Sequence, residues 1–222
     1  MLPDRLTLID EVTRADHRFL TADDRCMYFG EFFSRKGWSG GPTNGLIADY
    51  KRTPTELADH HKAPLLRYHN EQAISDIAAG LRTQFTLRDV ATKYTFVPMP
   101  SSKIAGDPDF CDRLNLTLQR AFMMPPYTGA DIRPLLRQTR SLDADHRNTS
   151  GRISYGDLLK VVEIDPAQLL APVRGEIVLF DDVLTSGKHY KVAKARIHGA
   201  LPGHLIIGLF VARANHLNPE AG

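Results

Sequence analysis

The chain has 222 residues, 42% hydrophobic and 24% charged, which is the balance of a globular protein with room for one large domain or a core plus a subdomain. Its 28 Lys and Arg against 26 Asp and Glu leave a net charge of +2, too small for a protein that holds nucleic acid by bulk electrostatics. No apolar run reaches the ~18 residues of a membrane span, since the longest, Leu205 to Ala212, is interrupted by Gly208.

The opening Met-Leu-Pro-Asp-Arg turns acidic at once and reads as neither a signal nor a transit peptide, so a cytoplasmic protein is expected. Two cysteines, Cys26 and Cys111, cannot build a disulfide framework or a four-cysteine zinc site and read as reduced thiols. The first 45 residues are polar and end in the loop-like stretch Gly37 to Gly45. Residues 1–45 are therefore expected as an N-terminal appendage or part of a hood, with the core in 46–222, or else the stretch is a long loop within one domain.

From Glu71 to Phe85 the apolar residues Ala73, Ile74, Ile77, Ala78, Leu81 and Phe85 recur at helical spacing, with Asn70 placed to cap. Tyr94 to Met99 is a short β-favouring run closed by Pro98 and Pro100. Phe110, Leu114, Leu118, Ala121 and Phe122 mark one face of a second helix, and Ile153 to Ile164 reads as extended, interrupted at Gly156 and Asp157. Glu176 to Phe180 has the pattern of a buried parallel strand; a helix from Lys188 to His198 and a strand from Leu205 to Val211 follow. Strand, helix and strand at these lengths form a βαβ unit, which predicts an α/β protein with a mostly parallel sheet flanked by helices. Ligands of such sheets lie where strands end and helices begin, here after Met99 and after Phe180.

Charge is unevenly spread. Between Val183 and Pro219 there is no acidic residue, while Lys188, Lys191, Lys194, Arg196 and Arg213 fall there. A second basic cluster is Arg133, Arg137, Arg140, Arg147 and Arg152. Both read either as solvated basic faces or as walls of a pocket for a small anion. His60, His61 and His69 near Asp59, and Asp143, Asp145 and His146, show no metal-ligand spacing and read as surface polar residues. Trp38, among glycines, reads as a loop anchor.

The segment from Glu176 to Lys188 carries the chemistry. Two adjacent carboxylates, Asp181 and Asp182, follow a buried strand, and the turn Thr185-Ser186-Gly187 opens a helix. Successive backbone N–H groups at a helix N-terminus make an anion nest favoured by the helix dipole. Adjacent acids at a strand end can accept from paired sugar hydroxyls or support a magnesium ion. Together they read as a site for a phosphorylated sugar, against the alternative of solvated acids and an ordinary helix cap. A P-loop is excluded, because Asp182 stands where its first glycine belongs and His189 where it needs Ser or Thr.

Leu179-Phe180-Asp181-Asp182-Val183-Leu184-Thr185-Ser186-Gly187 resembles the phosphoribosyl-pyrophosphate (PRPP) motif of the type I phosphoribosyltransferases. Phe96 to Pro100 is similar to the Val-Pro-Val-Pro strand of the ComF-like branch of that family, and Asp109-Phe110 through Leu118 to the helix that follows it. Arg137-Gln138-Thr139-Arg140, then His146-Arg147-Asn148 and Gly151, resembles its flexible region, and Gly45 to Arg52 is loosely similar to an early segment. The likeness spans about Gly45 to Ala214; His189 departs from the family's hydroxyl residue, and the branch's cysteine-rich module has no counterpart.

The resemblance implies a phosphoribosyltransferase-like domain over 46–222 that displaces pyrophosphate from PRPP with a nitrogen nucleophile, usually a nucleobase, with Mg2+ as cofactor. It places the 5-phosphate on Leu184, Thr185, Ser186, Gly187 and Lys188, makes Val183 part of the PRPP site, and places the ribose hydroxyls on Asp181 and Asp182, which would also support the magnesium without direct ligation. It places pyrophosphate on Ser101, Ser102 and Lys103, and makes Lys103, Arg137 and Arg140 catalytic candidates, with His146 and Arg147 beside them. Residues after the last core strand, Arg213, Asn215 and His216, are implied to help choose the acceptor. The family also allows a homodimer. The competing expectation is a non-catalytic regulator or interaction module that keeps the fold for sensing PRPP or a nucleotide.

Overall fold

The computed structural model describes residues 2–3, 5–34, 36–59, 61–142 and 153–215. His60, Asp143, Asp145, His146, Arg147, Asn148, Gly151, Arg152 and His216, all raised above, lie outside the described residues. In chain order the elements are β1 (Thr7–Leu8), α1 (Glu11–Arg14), β2 (Arg25–Phe33), α2 (Pro42–Tyr50), α3 (Pro54–Ala58), α4 (Ala63–Gln84), α5 (Leu87–Thr92) and β3 (Tyr94–Pro98). They continue with α6 (Arg113–Phe122), β4 (Asp131–Ile132), β5 (Leu136–Gln138), α7 (Tyr155–Val161), β6 (Val162–Ile164), β7 (Glu176–Leu184), α8 (Lys188–Ala200) and β8 (Leu205–Asn215).

The architecture is α/β, as the βαβ pattern predicts. Six strands form one sheet in the order β1-β2-β8-β7-β3-β4, parallel throughout except for the antiparallel edge pair β1 and β2. A separate antiparallel pair, β5 and β6, lies apart from it. Central β7 and β8 read as continuous apolar runs because both faces are covered: Ile177, Val178, Leu179 and Phe180 are buried, as are Leu209, Phe210, Val211 and Ala212. Helix α8 carries the chain from β7 back to β8 and buries Tyr190, Val192, Ala193 and Ile197. At β3 a cluster of Phe85, Tyr94, Phe96, Phe122 and Tyr127 locks the strand to α6, with Phe96 stacked on Phe122 at 4.6 Å. That cluster fixes where the chain emerges at Pro98.

Several local expectations give way to tertiary context. Strand β7 runs to Leu184 and β8 to Asn215, beyond their apolar cores, because β7 keeps a ladder partner in β8 as far as Arg213 and β8 keeps one in β2 as far as Asn215. Helix α4 starts at Ala63, with Pro64 in its first turn, instead of at Glu71. Asn70 is therefore no cap; it is buried within the helix, and its amide donates to the carbonyls of Asp49 (2.8 Å) and Tyr50 (3.3 Å). The second predicted helix begins at Arg113, which leaves Phe110 before it and partly exposed.

The segment from Ile153 to Ile164 is not one extended stretch. Ser154 caps α7 by accepting from Asp157 N–H at 3.1 Å, and only Val162–Ile164 is a strand. The glycine-rich stretch after Gly37 folds into a 3-10 turn (Gly37–Gly40) and α2, pinned by the buried Asn44 amide, which pairs with both backbone groups of Phe33. Within the first 45 residues, β2 is a full member of the sheet, paired with β8 from Arg25–Ile207 to Phe33–Asn215. No helix among the described residues is long and apolar enough to cross a membrane.

Within the acid-free stretch after Val183, Lys188 lines a cleft while the cations that follow it are drawn into the fold. Lys191 and Lys194 both bind the buried carboxylate of Asp24, at 2.7 and 2.6 Å. Arg196 donates to the Leu159 carbonyl, and Arg213 donates to Asp16 and Glu31. Most of these cations are consumed inside the fold by acids from other parts of the chain.

Candidate functional site

A cleft of about 630 Å³ opens at the C-terminal ends of β3 and β7. Its lining gathers Ser101, Ser102 and Lys103 from the loop after β3, and the whole run from Asp181 to Lys188. The cleft lies at the position that parallel sheets offer to ligands. The sequence separates these two groups by about eighty residues, and the β3–β7 ladder, with Val97 opposite Leu179 and Pro98 opposite Phe180, brings them together.

The acid pair is asymmetric. Asp182 is buried, and its carboxylate accepts from Lys51 Nζ at 3.1 Å, Arg113 Nη2 at 3.3 Å and the Val183 N–H at 2.7 Å. Burial pushes its carboxyl up, but the Lys51 and Arg113 charges outweigh that and hold it below the usual carboxylate range. Asp181 meets the cleft with part of its surface and accepts from the Asp182 N–H at 2.8 Å. Burial first, and the neighbouring Asp182 charge second, raise it far above the usual range. One site therefore sets a carboxyl that holds its proton to higher pH than usual beside one that ionises readily.

Arg113 is itself anchored. Its guanidinium lies 5.7 Å from the centre of the Tyr50 ring, and the buried Tyr50 hydroxyl shares a 2.9 Å hydrogen bond with Thr117 on the same helix.

The turn after β7 presents backbone donors. Gly187, at φ +80°, is the N-cap of α8 in the left-handed region where only glycine is free of strain. Among the described residues nothing accepts from the N–H groups of Ser186 or Gly187, so the helix start presents free donors. The carbonyls of the same turn are held from behind. His17 Nδ1 donates to the Thr185 carbonyl, Phe19 N–H donates to the Ser186 carbonyl at 3.0 Å, and Leu20 packs against Gly187.

Of the residues singled out by sequence, the structure brings Ser101, Ser102, Lys103, Asp181, Asp182, Val183, Leu184, Thr185, Ser186, Gly187 and Lys188 into one cleft. Lys103 sits 4.0 Å from Asp107. Lys188 lines the cleft but is mostly buried, and its ammonium donates to the Ile153 carbonyl.

Neither Arg137 nor Arg140 lines this cleft, but Ser101 and Lys103, which do, also line the cleft beside it that holds Arg137. Arg137 is exposed, lies 3.5 Å from Glu163 and lines a neighbouring cleft of about 510 Å³, while the exposed Arg140 lines neither. Arg213 and Asn215 are likewise tied elsewhere, both to Glu31 at 2.6 Å.

The sequence reading missed three contributors: Lys51, Arg113 and the segment His17–Leu20. Lys51 falls in the segment loosely similar to the family, which offered a weak signal; nothing in local spacing marks Arg113 or His17.

Among the described residues no three His, Cys, Asp or Glu side chains converge on a metal position. Asp181 is the cleft-facing member of the acid pair, while Asp182 is already paired with two cations. No protein-family model matches the chain, and no curated protein matches it.

Proposed function

We propose that the protein binds PRPP and transfers its phosphoribosyl group to a nitrogen nucleophile, with release of pyrophosphate. One observation carries the reading: the acid pair of β7, the free N–H groups at the start of α8 and the loop after β3 line a single cleft. The 5-phosphate would lie against Ser186 and Gly187, where unpaired donors and the helix dipole favour negative charge. The ribose 2- and 3-hydroxyls would meet Asp181 and Asp182. Two adjacent carboxyls can accept from two neighbouring hydroxyls, and one that keeps its proton can also donate, so the pair suits a vicinal diol.

In the reaction, the acceptor nitrogen bonds to ribose C1 as the bond from C1 to the pyrophosphate oxygen breaks, and pyrophosphate leaves with both electrons. Lys103, beside Ser101 and Ser102 at the cleft's other wall, would stabilise the charge on that leaving group. Bound magnesium, supported by Asp181 and Asp182, would supply Lewis-acid stabilisation of the same charge.

A second reading, a binding protein that senses PRPP or a nucleotide without turnover, draws on the position of Arg140 outside both clefts and of Arg137 in the neighbouring one. Calorimetric titration with PRPP, with and without Mg2+, tests the site, with ribose 5-phosphate and AMP as comparison ligands. Magnesium-dependent PRPP binding followed by pyrophosphate release with an added nucleobase supports transfer. Binding without release for any base tried favours the sensor, and no binding of any of the three ligands rejects both.

A further inference from the structure

The phosphate-facing turn owes its shape to a part of the chain far from it in sequence. In a trans peptide the carbonyl of one residue and the N–H of the next point in opposite directions. The Thr185 carbonyl shares its peptide with the Ser186 N–H, and the Ser186 carbonyl shares its peptide with the Gly187 N–H. Both carbonyls are engaged by the segment after α1: the first accepts from His17 Nδ1, the second from the Phe19 N–H at 3.0 Å. Both N–H groups are therefore turned away from that segment, and nothing among the described residues accepts from them.

The segment is held firmly enough to impose this. His17 is fully buried, and Asp16 beside it accepts from the buried Arg213 at 2.9 Å. Leu20 is 8% exposed and closes on Gly187 so tightly that a Cβ there would stand 2.8 Å from Leu20 Cδ2. A carbonyl can only accept, so His17 must carry a proton on Nδ1.

We infer that His17 is a positioning residue for phosphate recognition: through the Thr185 carbonyl it aims the Ser186 N–H, and with Phe19 the Gly187 N–H, at the ligand's phosphate. The role rests on the phosphosugar reading of the cleft, and it assigns a task to a region, residues 16–20, that carries no motif. The turn is held in its binding shape before ligand arrives, so the cost of ordering two peptide groups is met in the fold.

The test compares His17→Leu, which keeps bulk without a donor, with His17→Asn, whose amide nitrogen can replace Nδ1–H. Inorganic phosphate and ribose 5-phosphate are the probes, titrated calorimetrically at one pH. His17→Leu is expected to weaken both by about 2- to 12-fold, the worth of one well-aligned hydrogen bond, and His17→Asn to recover most of the loss. A purely structural histidine would lower the thermal midpoint in both variants and leave the dissociation constants of the folded protein unchanged, which overturns the inference.

Amide exchange on the unaltered protein supplies a second measurement that needs no variant. Added phosphate should slow exchange at Ser186 and Gly187, and unchanged exchange at both overturns the assignment. Phosphate binding without PRPP binding would reject the transferase while leaving the role of His17 intact. PRPP binding that is indifferent to His17 would do the reverse.

Discussion

Replacing Gly187 by alanine tests the construction of the turn after β7 most directly. Two costs add. The residue sits at φ +80° and ψ 1°, a left-handed conformation that costs an L-residue about 1–2 kcal/mol. The new methyl would also stand 2.8 and 2.9 Å from Leu20 Cδ2 and Cγ, and overpacking of that kind costs about 1–3 kcal/mol. The sum is about 2–5 kcal/mol, or roughly 5–15 °C in thermal midpoint for a chain of this size.

Gly203 is the matched control. Its φ is +87°, but nothing stands within 4 Å of its Cβ position, so Gly203→Ala bears only the conformational cost of about 1–2 kcal/mol. Urea unfolding of both variants, compared at constant m-value, separates the terms. Gly187→Ala should be the less stable by about 1–3 kcal/mol. Equal midpoints would show that Leu20 does not press on the turn, and an unperturbed Gly187→Ala would refute the left-handed cap as well.

Three further outcomes follow from the geometry. Arg113→Met should destabilise the protein by about 3 kcal/mol, the low end for a broken buried pair because Lys51 still faces Asp182. Arg113→Met with Asp182→Asn should regain most of that in denaturant unfolding, and a double variant no more stable than the single one would deny the coupling.

Asp24 sets an acid limit. Burial raises its carboxyl, but Lys191, Lys194 and the Thr21 N–H outweigh burial and bring it to about 2 from 3.8. Its folded value is depressed, so its contribution of about 2 kcal/mol is full above pH ~4 and lost as pH falls toward 2. Asp24→Asn should flatten the stability curve in that window, and an unchanged slope there would contradict it.

Cys26 is 1% exposed with its thiol pushed by burial to about 12, whereas Cys111 is half-buried in the cleft lining. Iodoacetamide at neutral pH should therefore label Cys111 and spare Cys26 by mass spectrometry, with bound ligand slowing the reaction. Labelling of Cys26 in folded protein would count against the packing around it.

The sequence alone determined what depends on neighbours within a turn or a strand. Apolar alternation and runs specified β3, β7, β8 and the amphipathic α6, and the order of β7, α8 and β8 required a parallel pair. The acids, hydroxyls and glycine from Asp181 to Gly187 marked this turn as a candidate anion site because their chemistry is local to it.

Tertiary structure decided everything that rests on distant partners. The site needs Lys51 and Arg113 on Asp182, and His17 and Phe19 behind the turn, across separations of 131, 69 and 168 residues for the Lys51, Arg113 and His17 contacts. No periodicity encodes such pairings; the sheet order and helix packing create them. The same reasoning explains the misplaced cations. Lys191, Lys194 and Arg213 look like a basic face along the chain, but a charge buried on folding must find a partner, and Asp24, Asp16 and Glu31 supply it from the N-terminal region. Local chemistry named the turn, and long-range packing fixed which way its donors point.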